Sequence, residues 1–133
     1  TAQQIVTMAS LIERESSVES ERSTIASVIY NRLDEGMPLQ IDAAIVYARG
    51  GGSGTVTYDD LEIDSPYNVY RNTGLTPGPI CSPSVSSIQA ALNPDDTNYL
   101  YYVLSSAGDG SHKFSETYDE FQANVQEYRD SQS

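Results

Sequence analysis

The sequence predicts an α+β fold, a helical body of about four to five helices carrying a small antiparallel sheet or hairpin. Two observations carry that reading. Four stretches repeat apolar residues at the three-and-four spacing of one helical face. One late stretch, residues 99–104 (YLYYVL), is rich in β-formers and runs into Gly108-Asp109-Gly110, a turn followed by a return strand over 111–115. With 133 residues the chain is one domain.

The first helix is expected over residues 2–16, with Ile5, Met8, Leu11 and Ile12 on one face. A second spans 19–34, with Glu19 and Glu21 near its positive end, Ile25, Val28, Ile29 and Leu33 inward, and Gly36 as its stop. Two helices so closely linked form an antiparallel hairpin. Residues 38–42 are extended, and Asp42 either caps a short helix over 43–48 or offers a polar group to a cleft. The glycine-rich 50–54 is a loop, and 58–61 a single helical turn. Residues 65–83 form a long irregular stretch punctuated by Pro66, Pro77, Pro79 and Pro83; with Tyr67, Leu75 and Ile80 to bury, it is read as functional. A third long helix starts at Ser84 or Ser86, turns Ile88, Ala91 and Leu92 inward, and ends at Asn93-Pro94. The last spans 117–128, with Phe121, Val125 and Tyr128 on one side.

Composition narrows the function. Nineteen acidic residues against seven basic give a net charge of −12. That balance opposes nucleic-acid binding and docking on an anionic membrane surface. No run of about 18 apolar residues is present to span a bilayer. Opening at Thr1 without a Met, the chain is expected to be an excised piece of a longer protein. Ten Tyr, two Phe and no Trp suit either a half-wet groove for a polar polymer or ordinary amphipathic packing.

Glu15 is the sharpest local signal. At about 100° per residue, with Met8 as zero, Leu11 falls near 300°, Ile12 near 40° and Glu15 near 340°. Glu15 therefore projects from the apolar stripe, while Glu13, near 140°, is expected on the opposite, solvated side. Desolvation raises the pKa of such a carboxylate, which suits a general acid. The plain alternative is that Glu15 reaches solvent at the helix end or pairs with Arg32.

Several segments together resemble the YceG-like endolytic murein transglycosylases (MltG) over nearly the whole chain. They are Ala9-Ser10-Leu11-Ile12-Glu13-Arg14-Glu15-Ser16, Ala26-Ser27-Val28-Ile29-Tyr30-Asn31-Arg32-Leu33 and Gly36-Met37-Pro38-Leu39-Gln40-Ile41-Asp42, then Ser65-Pro66-Tyr67-Asn68-Val69-Tyr70, Gly74-Leu75-Thr76-Pro77-Gly78-Pro79-Ile80 and Tyr99-Leu100-Tyr101-Tyr102-Val103. Thr76 stands where the family usually has Pro, and Ser84 where Gly is common.

The resemblance implies a single catalytic domain over residues 1–133 with a lysozyme-like active-site helix. It implies a lyase that cuts MurNAc-β-1,4-GlcNAc bonds within peptidoglycan strands and leaves 1,6-anhydro-MurNAc ends, with no cofactor or metal. Glu15 aligns with the catalytic glutamate, and Gln40, Asp42, Tyr67 and Asn68 stand in family motifs as substrate-binding candidates, with Pro77 and Gly78 as a groove wall. It also implies action at the extracytoplasmic face of the bacterial cytoplasmic membrane, through an N-terminal anchor not in this sequence, with cell-wall synthesis proteins as neighbours.

A lytic transglycosylase needs one carboxylate, because the nucleophile is the substrate's own C6 hydroxyl; hydrolysis needs two. An Asp42 across a cleft from Glu15 would therefore permit a hydrolytic muramidase. The alternative from another class is a non-catalytic glycan-binding or cell-wall assembly domain. His112 is read as a locally bonded strand residue, Cys81 as a small buried thiol, and the acidic run 59–64 as a solvated face without the ligand order of a calcium loop.

Overall fold

The computed structural model describes residues 1–132, and its elements follow the predicted order. They are α1 (Ala2–Glu15), α2 (Arg22–Asp34), α3 (Asp42–Ala48), α4 (Val85–Leu92), β1 (Tyr101–Leu104), β2 (His112–Ser115) and α5 (Tyr118–Gln132). Single 3₁₀ turns at Glu19–Glu21 and Asp60–Glu62 complete the list. The sheet is one antiparallel pair, with Tyr102 opposite Phe114 and Leu104 opposite His112.

The apolar stripe of α1 forms the centre of the core. Met8, Leu11 and Ile12 pack with Ile25 and Ile29 of α2, Ala90 and Ala91 of α4, and Leu39, Ile41 and Val69 from the connecting segments. Each large aliphatic side chain removed from water here contributes about 1.5–3 kcal/mol. The small inner residues of α4 let it lie close along both α1 and α2. The sheet and α5 form a second layer, joined by aromatic contacts: Tyr101 stacks on Phe121 at 5.2 Å and meets Tyr118 edge-on at 5.8 Å.

Three expectations need correction. Leu92 is 57 % exposed, and Ser87 and Ala90 take the inner positions with Ala91, because α4 presents its small side to α1. Asp42 is the first residue of α3, not its cap; the cap position is Ile41, and no side chain bonds the free N–H groups there. Glu13 is no solvated bystander. Its carboxylate accepts from the Ser84 N–H at 2.8 Å and the Ser87 hydroxyl at 2.9 Å, and pairs with Arg22 at 3.4 Å. Those donors, the Ser84 amide foremost, hold its pKa down at about 2. Glu13 thus ties α1 to the start of α4, satisfying a helix end that Ser84 caps only in part.

Candidate active site

α1 ends at Glu15, and the next residue, Ser16, is extended and fully buried. The helix therefore delivers the Glu15 carboxylate to the rim of the core instead of to open solvent. It lines a pocket of about 260 Å³ with Gln40, Asp42, Arg32, Tyr70, Tyr102 and Phe121, over an apolar floor of Val28, Ile29, Leu39 and Ile41. Glu15 is half-buried. Burial pushes its pKa above the ordinary 4.5, and the neighbouring Asp42 charge adds to the rise. The Tyr102 hydroxyl, which donates to Glu15 Oε1, and nearby His112 act in the opposite direction.

Tyr102 comes from β1. Successive strand residues project to opposite faces, so the Tyr101 ring joins α5 while the Tyr102 hydroxyl reaches Glu15. Desolvation and the adjoining carboxylate raise the Tyr102 pKa well above 10, so it is a neutral donor at any working pH. The His112 ring lies 5.3 Å from the Tyr102 ring and is fixed by Glu21, which accepts from its backbone N–H at 2.9 Å and contacts Nδ1 at 3.0 Å. His112 therefore has a partner on the second helical segment, far from its own strand in sequence.

Arg32 does not neutralise Glu15. Its guanidinium donates to the carbonyls of Leu100 at 2.7 Å and Pro38 at 2.8 Å, and lies 5.2 Å from the centre of the Tyr101 ring. It fastens the strand and the 38–42 segment to α2 and so closes one side of the pocket.

Asp42 and Gln40 enter the same pocket from that segment. Asp42 Oδ1 accepts the Tyr70 hydroxyl at 2.5 Å, and burial with this bond drives the Tyr70 pKa upward. Gln40 has a left-handed backbone at φ 54°, which a non-glycine residue adopts only when its surroundings hold it. Its N–H is held by the Val69 carbonyl at 3.1 Å.

The remaining candidates lie outside this pocket. Asn68 is fully buried: its Nδ2 donates to the carbonyls of Leu61 and Ile63, and its Oδ1 accepts from the Tyr70 N–H. It positions Tyr70 from within. Tyr67 packs on Tyr47 with ring centres 4.9 Å apart. Gly78 is buried, and a Cβ there would stand 3.1 Å from the Tyr67 hydroxyl, so its smallness admits that ring. Pro77 is exposed beside it. Cys81 is half-buried, its Sγ 3.4 Å from the Ser10 carbonyl, with a pKa raised by burial. In the acidic run, Asp60 pairs with Arg49 at 2.8 Å and is not merely solvated.

Tyr70, Tyr102 and Phe121 are pocket residues that sequence patterning did not single out. The alternation of β1 shows that Tyr101 and Tyr102 face apart, yet not which of them meets α1.

The Tyr102–Glu15 bond makes a direct prediction. Tyr102→Phe keeps the ring that excludes water and removes the donor that favours the carboxylate. Glu15 should then titrate higher than in the parent, since the lost hydrogen bond favoured the charged carboxylate. Carboxyl-detected NMR titration reads this; an unchanged or lower Glu15 pKa would show that the bond does not govern its proton.

The profile of the YceG-like family matches residues 1–127. A curated relative from Bacillus subtilis (strain 168), named endolytic murein transglycosylase, is 56% identical over 105 residues, covering 79% of this chain and 29% of its own length. A protein of the same name from Streptococcus pneumoniae serotype 2 (strain D39 / NCTC 7466) is 40% identical over 133 residues, covering 96% of this chain and 24% of its own. The crystal structure of a yceG-like protein from Listeria monocytogenes superposes with a TM-score of 0.87 at 45% identity, covering 91% of this chain and 39% of that one. The chain thus spans 24–29% of the length of these curated relatives.

Proposed function

The chain belongs to the YceG-like family, and from that premise we propose that it is the catalytic domain of an endolytic peptidoglycan lytic transglycosylase. One observation carries the reading: a half-buried glutamate with a raised pKa, seated in a sugar-sized polar pocket at the end of the core helix.

In the proposed reaction protonated Glu15 donates to the glycosidic oxygen as the MurNAc–GlcNAc bond breaks and an oxocarbenium-like centre forms at C1 of MurNAc. The resulting carboxylate takes the C6 hydroxyl proton as that oxygen closes on C1, leaving a 1,6-anhydro-MurNAc end and regenerating the acid. Intramolecular attack supplies high effective molarity and needs no activated water. The neutral Tyr102 donor steadies the carboxylate between the two steps. Gln40 and Asp42 offer polar groups to sugar hydroxyls or the N-acetyl group, and Asp42 with Tyr70 sets the far wall. Tyr67, Asn68, Pro77 and Gly78 serve from behind, by shaping the 65–83 segment. A peptidoglycan substrate implies action outside the cytoplasm, in this reading at the outer face of the cytoplasmic membrane; among the described residues no helix is long and apolar enough to cross a membrane.

Asp42 favours one second reading, because a second carboxylate in the pocket is what hydrolysis requires. Purified peptidoglycan digested with the domain separates the cases by mass spectrometry of the products. Anhydro-ended fragments are expected. Reducing ends would make the protein a muramidase with Asp42 as partner, and intact sacculi that still retain the domain would make it a binding module.

A further inference from the structure

The ends of α1 and α3 divide their side chains between two hollows. Glu15 and Asp42 line the first, while their chain neighbours Arg14 and Ala43 line a second of about 430 Å³ with Val46, Tyr47, Gly50–Gly52 and Ile80. Consecutive Cα atoms lie only about 3.8 Å apart, so the two hollows adjoin across a single backbone step on each helix.

Three features of the second hollow stand out. Arg14 is exposed, and among the described residues no hydrogen bond or ion pair engages its guanidinium, in a chain where acidic residues outnumber basic ones 19 to 7. Tyr47 is 47% exposed and braced from behind by Tyr67, which is seated in turn against Gly78. The third wall is bare backbone: Gly50, Gly51 and Gly52 all take positive φ, from 96° to 102°, and Arg49 anchors the loop through the carbonyls of Gly51 at 3.0 Å and Thr55 at 2.8 Å. Side chains at those positions would be strained by the backbone conformation.

We propose that this hollow is a binding site for a carboxylate-bearing peptide branch of the glycan strand. It rests on the peptidoglycan reading above. Arg14 supplies the planar guanidinium that pairs with a carboxylate through two parallel hydrogen bonds, and the braced Tyr47 ring supplies an apolar face for the adjoining peptide. A single cation within a net charge of −12 fits an isolated carboxylate; a polyphosphate ligand would be repelled. The site adjoins the Glu15 pocket, as a branch on a sugar beside the cleaved bond requires.

The test uses two soluble probes, a MurNAc–GlcNAc oligosaccharide bearing its stem peptides and the same strand with the peptides removed. Binding is measured by calorimetry in a Glu15→Gln background, so that neither probe is consumed. Arg14→Gln should weaken binding of the peptide-bearing strand by about 3- to 5-fold and leave that of the bare strand unchanged, and Arg14→Lys should restore part of the loss. Equal affinity of Arg14→Gln and its parent for the peptide-bearing strand, absence of binding by both included, overturns the inference. So does an equal loss on both probes. The peptidoglycan reading stands or falls separately, on the cleavage products of the unmodified domain.

Discussion

Glu15→Gln is expected to reduce strand cleavage by at least about 10³-fold while leaving the protein as stable at neutral pH, or more so. General acid catalysis alone contributes about 10²–10⁴-fold, and in the proposed mechanism one side chain serves as acid and then as base. The amide keeps the volume of the carboxyl group and can still accept from Tyr102, so a merely structural Glu15 would tolerate the change. The stability half follows from linkage. The native state holds the Glu15 proton more tightly than the unfolded chain does, since burial raises its pKa above 4.5. That preference stabilises the fold fully below the unfolded value and is lost as pH rises through the native value, above which a desolvated charge remains. Gln removes this dependence, so the gap in melting temperature between variant and parent should grow from pH 4 to pH 8. The parent's activity should fall along the same limb, because the proposed reaction begins from the protonated acid. Cleavage by the Gln variant at a rate near the parent's would remove Glu15 from the mechanism.

The second large effect concerns Asn68, which sequence motifs offered as a sugar contact and the structure buries completely. Asn68→Ala strands the Leu61 carbonyl and the Tyr70 N–H, now held at 2.9 and 3.1 Å, and takes one of two donors from the Ile63 carbonyl, which keeps the Ser65 N–H. Unsatisfied buried groups cost about 1–3 kcal/mol each, with partial relief where water enters. A net loss of about 3 kcal/mol follows, or roughly 10 °C in melting temperature for a domain of this size. Tyr70 would lose its anchor, and with it the Asp42 carboxylate its hydroxyl partner. Chemical denaturation measures the loss. A change below about 1 kcal/mol, together with a marked fall in glycan affinity, would instead make Asn68 a direct ligand.

Much of this molecule can be read from local pattern. The faces of α1 and α2, the extended 38–42 segment, the 65–83 irregular stretch and the β1–β2 hairpin follow from spacing, because a helix or hairpin expresses its periodicity within about a dozen residues. The placement of Glu15 on the apolar stripe is of the same kind. Glu13 marks where that reasoning stops. Its angle on α1 is right, yet the α4 terminus arrives against that side, and the expected surface charge becomes a tether. Asp42 repeats the lesson, since its partner is a tyrosine 28 residues away.

What the sequence alone determined is the α+β element order and one carboxylate directed inward from the first helix. Tertiary structure decided its company: Tyr102 from 87 residues on, Asp42 from α3, and Arg32 turned to carbonyls instead of to Glu15. Periodicity reports which way a side chain leaves its own helix or strand. The electrostatics of Glu15 depend on what the rest of the chain brings opposite, and only packing of distant segments sets that.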